Sequence, residues 1–260
     1  MKALFFDIDG TLFEPGKSGL SVAVIEAIKH VQSLGHLCFV ASGRPYTTLP
    51  KFITCIDFDG YICGNGTQIA TKEGLIQEKT LPVSSSEIML QKIEELHLEY
   101  LILTTDKNCI SFQHDELFEY YKQYNIDPET FRTEYTLEEI LPSALKIETM
   151  SHTEDERKQL CKVAESLDFF VELKSNGYME FSDQTITKGT AMLTLLDYFE
   201  VSVEDSICFG DGMNDIDLFK TAHYRIAMGN AIDEIKALAN EITLPVSEDG
   251  VAISLNKLFQ

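Results

Sequence analysis

Residues 3 to 8 read Ala-Leu-Phe-Phe-Asp-Ile, an apolar run too short for a helix and bounded by Gly10, so it reads as a buried strand. That pattern recurs often enough to limit what the chain can fold into. Leu37 to Ala41 repeats it and is broken by Ser42-Gly43-Arg44-Pro45, and Gly60 to Cys63 repeats it again. Between the first two runs, Ile25, Ile28, Val31 and Leu34 make one apolar stripe, which predicts a helix from about Ser21 to Leu34 with Gly35 as its stop. Pro45 suits the first turn of a second helix. Strand, helix, strand, helix, strand implies a parallel sheet with right-handed crossovers.

The same rhythm returns late in the chain. A helix is expected near Thr187 to Tyr198, a strand at Ser206 to Gly210, a helix from Asn214 to Lys220 and a strand at Tyr224 to Met228. Helical patterns around Ile232 to Leu238 and Val251 to Leu258 follow. Residues 1 to 80 and 182 to 260 therefore read as halves of one doubly wound α/β unit. The middle differs in character. Helices are expected at Ser86 to Leu98, Asp115 to Tyr124 and Glu154 to Leu167, and a strand at Ala144 to Met150. Two close strand pairs accompany them, Tyr100 to Thr105 with Cys109 to Gln113, and Phe169 to Lys174 with Gly177 to Ser182. Such pairs favour antiparallel hairpins, so residues 81 to 181 read as an inserted α+β domain with its own sheet.

Charge narrows the function. Lys and Arg number 21 against 42 Asp and Glu, and a net charge of -21 repels polyanions over the Debye length, so nucleic acid is not an expected partner. An anionic small molecule can bind only where a metal ion and a few aimed donors reverse the field locally. No stretch approaches the roughly 18 apolar residues of a membrane span, and the first residues lack the long apolar core of a signal peptide. Six cysteines without a C-x-x-C pair read as free thiols in a reducing, cytoplasmic setting, and the histidines show no zinc spacing. Oligomeric state leaves no legible mark.

Four segments carry chemistry. Asp7-Ile8-Asp9-Gly10-Thr11 lies at the carboxyl end of the first strand, where open α/β sheets place ligands. Two carboxylates two residues apart in extended chain point the same general way, and ionising both is costly without a cation such as Mg2+. One can then attack phosphorus while the other handles the leaving-group proton. An isolated D-x-D is also an ordinary surface turn, but with Gly10 and Thr11 added the chance occurrence falls to roughly a few in a thousand. Ser42-Gly43-Arg44 offers a hydroxyl and amides to phosphoryl oxygens, or is a plain strand-to-helix loop. Lys188 opens a helix, against the dipole's preference for anions there, so it wants a negative partner or is a solvated lysine. Gly210-Asp211-Gly212-Met213-Asn214-Asp215 follows another strand. Asp211 would complete a magnesium site, while Asp215 can cap a helix, support the site or ligate.

Together these segments resemble the haloacid dehalogenase superfamily of phosphotransferases, whose signature is D-x-D-G-T, then a Ser or Thr, a Lys and a final acidic motif. The insertion resembles the C2 cap of the Cof-type subfamily, as do the A-S-G-R-P, N-G-T, K-G-T-A and G-D-G-M-N-D stretches. The resemblance implies a Rossmann-like core over 1-80 and 182-260, and a cap over 81-181 that sets substrate specificity. It implies Asp7 as the nucleophile that becomes an aspartyl-phosphate, and Asp9 as general acid and then base. Mg2+ would be held by Asp7, the backbone carbonyl of Asp9 and Asp211, with Asp215 a further candidate. Ser42, Gly43, Lys188 and Asn214 would contact the phosphoryl group. Ile8, Thr11, Arg44, Asn65 and Glu180 are further candidates for substrate contact, although Asn65-Gly66 is also a strong hairpin-turn signal. Family ATPases carry Thr at the position of Asp9, and the dehalogenases lack that acid, so Asp9 fits a hydrolytic phosphatase.

The expected activity is hydrolysis of a phosphate monoester of a small metabolite, a sugar phosphate foremost. A phosphomutase would use the same two aspartates but needs a second phosphate site on the cap, where Lys146, Arg157, Lys158 and Lys174 look dispersed. A non-catalytic binding protein on this scaffold should have lost some of the four motifs, and all are intact. Phe118, Tyr120 and Tyr121 fit an amphipathic helix better than a binding box.

Overall fold

The computed structural model describes residues 1–105, 108–111, 115–122 and 131–260. These form two compact units, Met1–Gln77 with Thr187–Gln260, and Glu78–Ile186.

The first unit begins with β1 (Ala3–Phe6), α1 (Val22–Ser33), β2 (Leu37–Ala41), α2 (Lys51–Thr54), β3 (Gly60–Cys63), β4 (Gln68–Thr71) and β5 (Gly74–Glu78). Ser21 caps α1 by accepting from the Val24 amide, and Gly35 at φ +83 ends it, a left-handed turn that suits glycine. The buried stripe is Val24, Ala27, Ile28 and Val31, displaced from the expected Ile25 to Leu34 set, and Leu34 is exposed. After Pro45 the chain makes only a 3-10 turn, Tyr46–Thr48, and α2 starts afresh behind Pro50. Pro50 holds Leu49 extended, so no single helix can run through. Strands β4 and β5 lack the apolar-run pattern, since both are short and semi-polar. Strand β4 pairs antiparallel with β3 around Gly64-Asn65-Gly66, with Asn65 at φ 57, so the Asn-Gly signal does mark a hairpin.

The second unit contains α3 (Val83–Glu95), β6 (Tyr100–Thr104), β7 (Asn108–Ile110), α4 (Asp115–Lys122), β8 (Phe131–Arg132), α5 (Leu137–Ile140), β9 (Ala144–Met150), α6 (Glu154–Ser166), β10 (Phe169–Leu173) and β11 (Tyr178–Asp183). The expected extensions to Gln113 and Tyr124 fall outside the described residues. Its sheet runs β10-β11-β9-β6-β7-β8, antiparallel except for the β7–β8 pair. Alternation along the strands builds two faces. Ile102, Ile147, Met179 and Phe181 pack with Met89, Leu90, Ile93 of α3 and Leu160, Ala164 of α6. Leu101, Leu103, Ile110 and Tyr178 join Leu117, Tyr120 and Tyr121 of α4, so two of the three aromatics serve packing.

The chain then returns to the first unit with α7 (Lys188–Tyr198), β12 (Ser206–Gly210), α8 (Ile216–Thr221), β13 (Tyr224–Ala227), α9 (Asp233–Leu238), β14 (Glu241–Ile242) and α10 (Gly250–Leu258). The sheet order is β14-β13-β12-β1-β2-β3-β4-β5, parallel from β14 to β3. All four residues of β1 are buried, and Phe5 stacks on Phe39 and Phe6 on Phe209 at 4.8 and 5.1 Å between ring centroids. Each such ring contributes about 1.5–3 kcal/mol of burial, which anchors the floor beneath the carboxyl ends of β1 and β12. Among the described residues, no helix is long and apolar enough to cross a membrane. The six cysteines are free thiols.

Candidate active site

Strand β1 lies between β2 and β12, so the winding of the sheet reverses there, and the register pairs Phe6 with Phe209. Asp7 and Asp211 therefore leave the sheet at the same edge, the crevice that this topology opens. The Asp7 amide donates to the Phe209 carbonyl at 3.1 Å. Beyond it the chain closes a tight turn, with the amides of Thr11 and Phe13 both donating to the Ile8 carbonyl. Gly10 sits at φ +92, and a Cβ there would lie 2.3 Å from Oδ2 of Asp211. Only glycine allows the first loop to lie flat against the fourth.

Three carboxylates, Asp7, Asp211 and Asp215, bring ligand oxygens within 4.8 Å of one another. Lys188, fully buried, places Nζ 2.6 Å from Oδ1 of Asp7 and 2.6 Å from Oδ1 of Asp215. Its helix is started by a reciprocal cap between Thr187 and Thr190. A Cβ on Gly189 would sit 2.5 Å from the Asp217 carbonyl, so the close approach of α7 to α8 is what carries the ammonium inward. Asp215 also accepts the amides of Asp211 and Gly212 on Oδ2, at 2.9 and 3.1 Å. Both its oxygens are engaged with protein donors. Asp211 accepts from Thr11 Oγ1 at 2.9 Å.

Three carboxylates face one ammonium. Burial, the Asp215 charge and the Asp211 charge raise the Asp7 carboxyl against the lowering effect of Lys188. Burial and the Asp215 charge push Asp211 up to about 7. Burial lowers Lys188, but the charges of Asp215 and Asp7 more than offset it and hold the ammonium protonated. Buried, surplus negative charge on an all-oxygen donor set suits a hard divalent cation, so the residues present fit Mg2+.

The loop after β2 and the turn after β3 are laced together. Ser42 donates its amide to the Ile62 carbonyl, and its own carbonyl accepts the Asn65 amide. Ser42 Oγ accepts from the Arg44 amide at 3.1 Å. Asn214 donates to Asn65 Oδ1 at 3.1 Å, and a Cβ on Gly43 would meet both of those side chains, at 3.1 and 3.3 Å. Arg44 forks onto Asp9, with Nε to Oδ2 at 2.8 Å and an Nη to Oδ1 at 2.6 Å. Ile8 is different. Its side chain belongs to the apolar core, so what it can offer a ligand is backbone. Glu180 lies in the second unit, where its carboxylate holds Lys146 Nζ at 2.6 Å and the Tyr178 hydroxyl at 3.2 Å. The sequence reading missed Asn230, which donates to the Gly10 carbonyl at 2.8 Å and to Asp211 Oδ2 at 3.4 Å. In Met228-Gly229-Asn230-Ala231 it reads as ordinary turn composition, with no local signal of that reach.

A family profile described as haloacid dehalogenase-like hydrolase matches residues 4–255. The chain belongs to that family. A putative phosphatase, YkrA, of Bacillus subtilis (strain 168) is 25% identical over 99% of this chain and 97% of its own length. Pyridoxal phosphate phosphatase YbhA of Escherichia coli (strain K12) is 24% identical, covering 96% of each chain. A solved sugar phosphatase of HAD subclass IIB superposes with a TM-score of 0.87 at 25% identity, covering 99% of both chains. The Cof-type resemblance and the capped Rossmann-like fold agree with these relatives, and the chain is a phosphatase of the haloacid dehalogenase kind.

Proposed function

We propose that this phosphatase hydrolyses phosphate monoesters of small metabolites, sugar phosphates foremost, with Mg2+ as cofactor and an aspartyl-phosphate on Asp7 as intermediate. The observation that carries the reading is the gathering of Asp7, Asp211 and Asp215 around the buried Lys188. Asp7, the backbone carbonyl of Asp9 and Asp211 would hold the cation, which when bound supplies positive charge to the phosphoryl oxygens. Asp215, with both oxygens already taken by Lys188 and two amides, fits the role of orienting the site rather than ligating.

A carboxylate oxygen of Asp7 forms the bond to phosphorus while the ester P–O bond breaks, and Asp9 gives its proton to the departing alcohol oxygen. To hold that proton, Asp9 releases at least one of the two hydrogen bonds from Arg44. Asp9 then takes a proton from water as the water oxygen attacks phosphorus, the bond to Asp7 breaks, and inorganic phosphate leaves. Ser42, Gly43, Lys188 and Asn214 are the donors for the phosphoryl oxygens, and Arg44 and Asn65 stand beside them for the organic part. The relative named a sugar phosphatase supports a sugar ester, and the pyridoxal phosphate phosphatase is the reason to test that ester too.

The test is release of phosphate from p-nitrophenyl phosphate with Mg2+, its loss on chelation, and a comparison of kcat/KM across sugar phosphates, nucleotides and pyridoxal phosphate. An Asp7→Asn variant that kept full turnover would remove the proposed nucleophile, and full turnover without a divalent cation would remove the metal.

A further inference from the structure

The loop after β13 is stitched to the acidic loop that follows β12. The Met228 amide donates to the Gly210 carbonyl at 3.1 Å, and the Ile232 amide to the Asp211 carbonyl at 3.0 Å. On its other side the same loop is tied to a later segment, with the Gly229 amide on the Leu244 carbonyl at 3.2 Å. Asn230 spans both. Its Oδ1 accepts the Val246 amide at 2.8 Å, while Nδ2 serves the Gly10 carbonyl and Asp211 Oδ2. The amide orientation follows from its partners, since a backbone N–H can only donate and a carbonyl can only accept.

Lys188 is committed to Asp7 and Asp215. The direction of the Asp211 carboxylate therefore depends on two neutral donors, Thr11 on Oδ1 and Asn230 on Oδ2. Thr11 belongs to the turn that carries Asp9, whereas Asn230 reaches both groups from a separate loop and grips that turn through the Gly10 carbonyl. We propose that Asn230 is a positioning residue for the divalent cation, locking the Asp211 carboxylate and the Asp9-Gly10 turn into one arrangement. The inference rests on the metal reading given above. Loss of a partner that orients a ligating carboxylate typically weakens metal affinity by about 10–100-fold.

Calorimetric titration of the metal-free protein with Mg2+ tests it without reference to turnover. Asn230→Ala should bind Mg2+ at least about tenfold more weakly than the native chain. Its metal-free melting temperature should stay within a few degrees of native, because the residue is exposed. Unchanged Mg2+ affinity in Asn230→Ala, or a collapse of its metal-free stability, would each overturn the inference while leaving the metal reading standing. A native chain that binds no Mg2+ would overturn both.

Discussion

The Nζ of Lys188 lies 2.6 Å from Oδ1 of Asp7, across 181 positions of chain, and the contact is buried. The same ammonium reaches Asp215 at 2.6 Å, so one positive charge compensates carboxylates contributed by two separate loops. Replacing it by the isosteric but neutral methionine leaves those carboxylates buried without a counter-charge. Lys188→Met is expected to cost about 3–5 kcal/mol of stability, read as a lower urea midpoint. At temperatures where the variant is folded, turnover of p-nitrophenyl phosphate should still fall by about 100-fold or more, as for loss of one aimed donor. A variant as stable as the native chain would show that the pair is not the buried anchor described.

Gly10 tests the close approach of the first and fourth loops. An alanine methyl would have to share space with the Asp211 carboxylate while the backbone sits at φ +92. Gly10→Ala should lose at least about 1 kcal/mol of stability from backbone strain alone. Its Mg2+ affinity should drop as well, because the displaced group is a proposed ligand. Thermal melting and Mg2+ titration of one sample read both, and unaltered Mg2+ binding would be the contrary result.

Asp211 gives the metal-free protein a pH dependence. Burial and the Asp215 charge push its carboxyl up to about 7, from an ordinary value of 3.8. Between those values the folded chain binds more protons at this group than the unfolded chain, so its contribution to stability falls as pH rises through the window. The metal-free native protein should therefore lose more melting temperature from about pH 4.5 to about pH 7.5 than Asp211→Asn does. Saturating Mg2+ should shrink that loss and release protons on binding below about pH 7. Parallel pH profiles for the native chain and the variant would contradict the assignment.

In the second unit, Glu148 and Glu180 face each other directly across β9 and β11, and Lys146 lies 3.0 and 2.6 Å from them. The Tyr121 hydroxyl donates to Glu148 as well. Lys146→Met should destabilise the protein by about 3–5 kcal/mol, since it leaves two opposed buried carboxylates. Adding Glu148→Gln and Glu180→Gln to it should recover most of that loss. Urea denaturation of the single and triple variants measures the difference. A triple variant no more stable than Lys146→Met would mean that the carboxylates are not the source of the cost.

The doubly wound core was readable because its signals are local. Apolar runs such as Leu37–Ala41 and Ser206–Gly210 need only their own residues to be recognised as buried strands, and the stops at Ser42 and Asp211 lie next to them in the chain. The reading failed where the structure is short or semi-polar, as in β4, β5 and β14, whose pairing is supplied by neighbours rather than by their own composition. It also failed after Pro45, where a second proline five residues on shortened the helix.

From its residues the chain offered the side chains that could do chemistry: Asp7, Asp9, Ser42, Lys188 and Asp211 stand in four short patterns. Those of Ser42 and Lys188 read alone as an ordinary loop and a surface lysine, so that the four together carry the meaning. Only the tertiary structure decided who pairs with whom. Arg44 on Asp9, Lys188 between Asp7 and Asp215, and Asn230 on both Gly10 and Asp211 join residues separated by 35, 181, 27, 220 and 19 positions. Hydrogen bonds and charges act over a few ångströms of space, and distances along an unfolded sequence hold no record of which distant groups the sheet will bring that close.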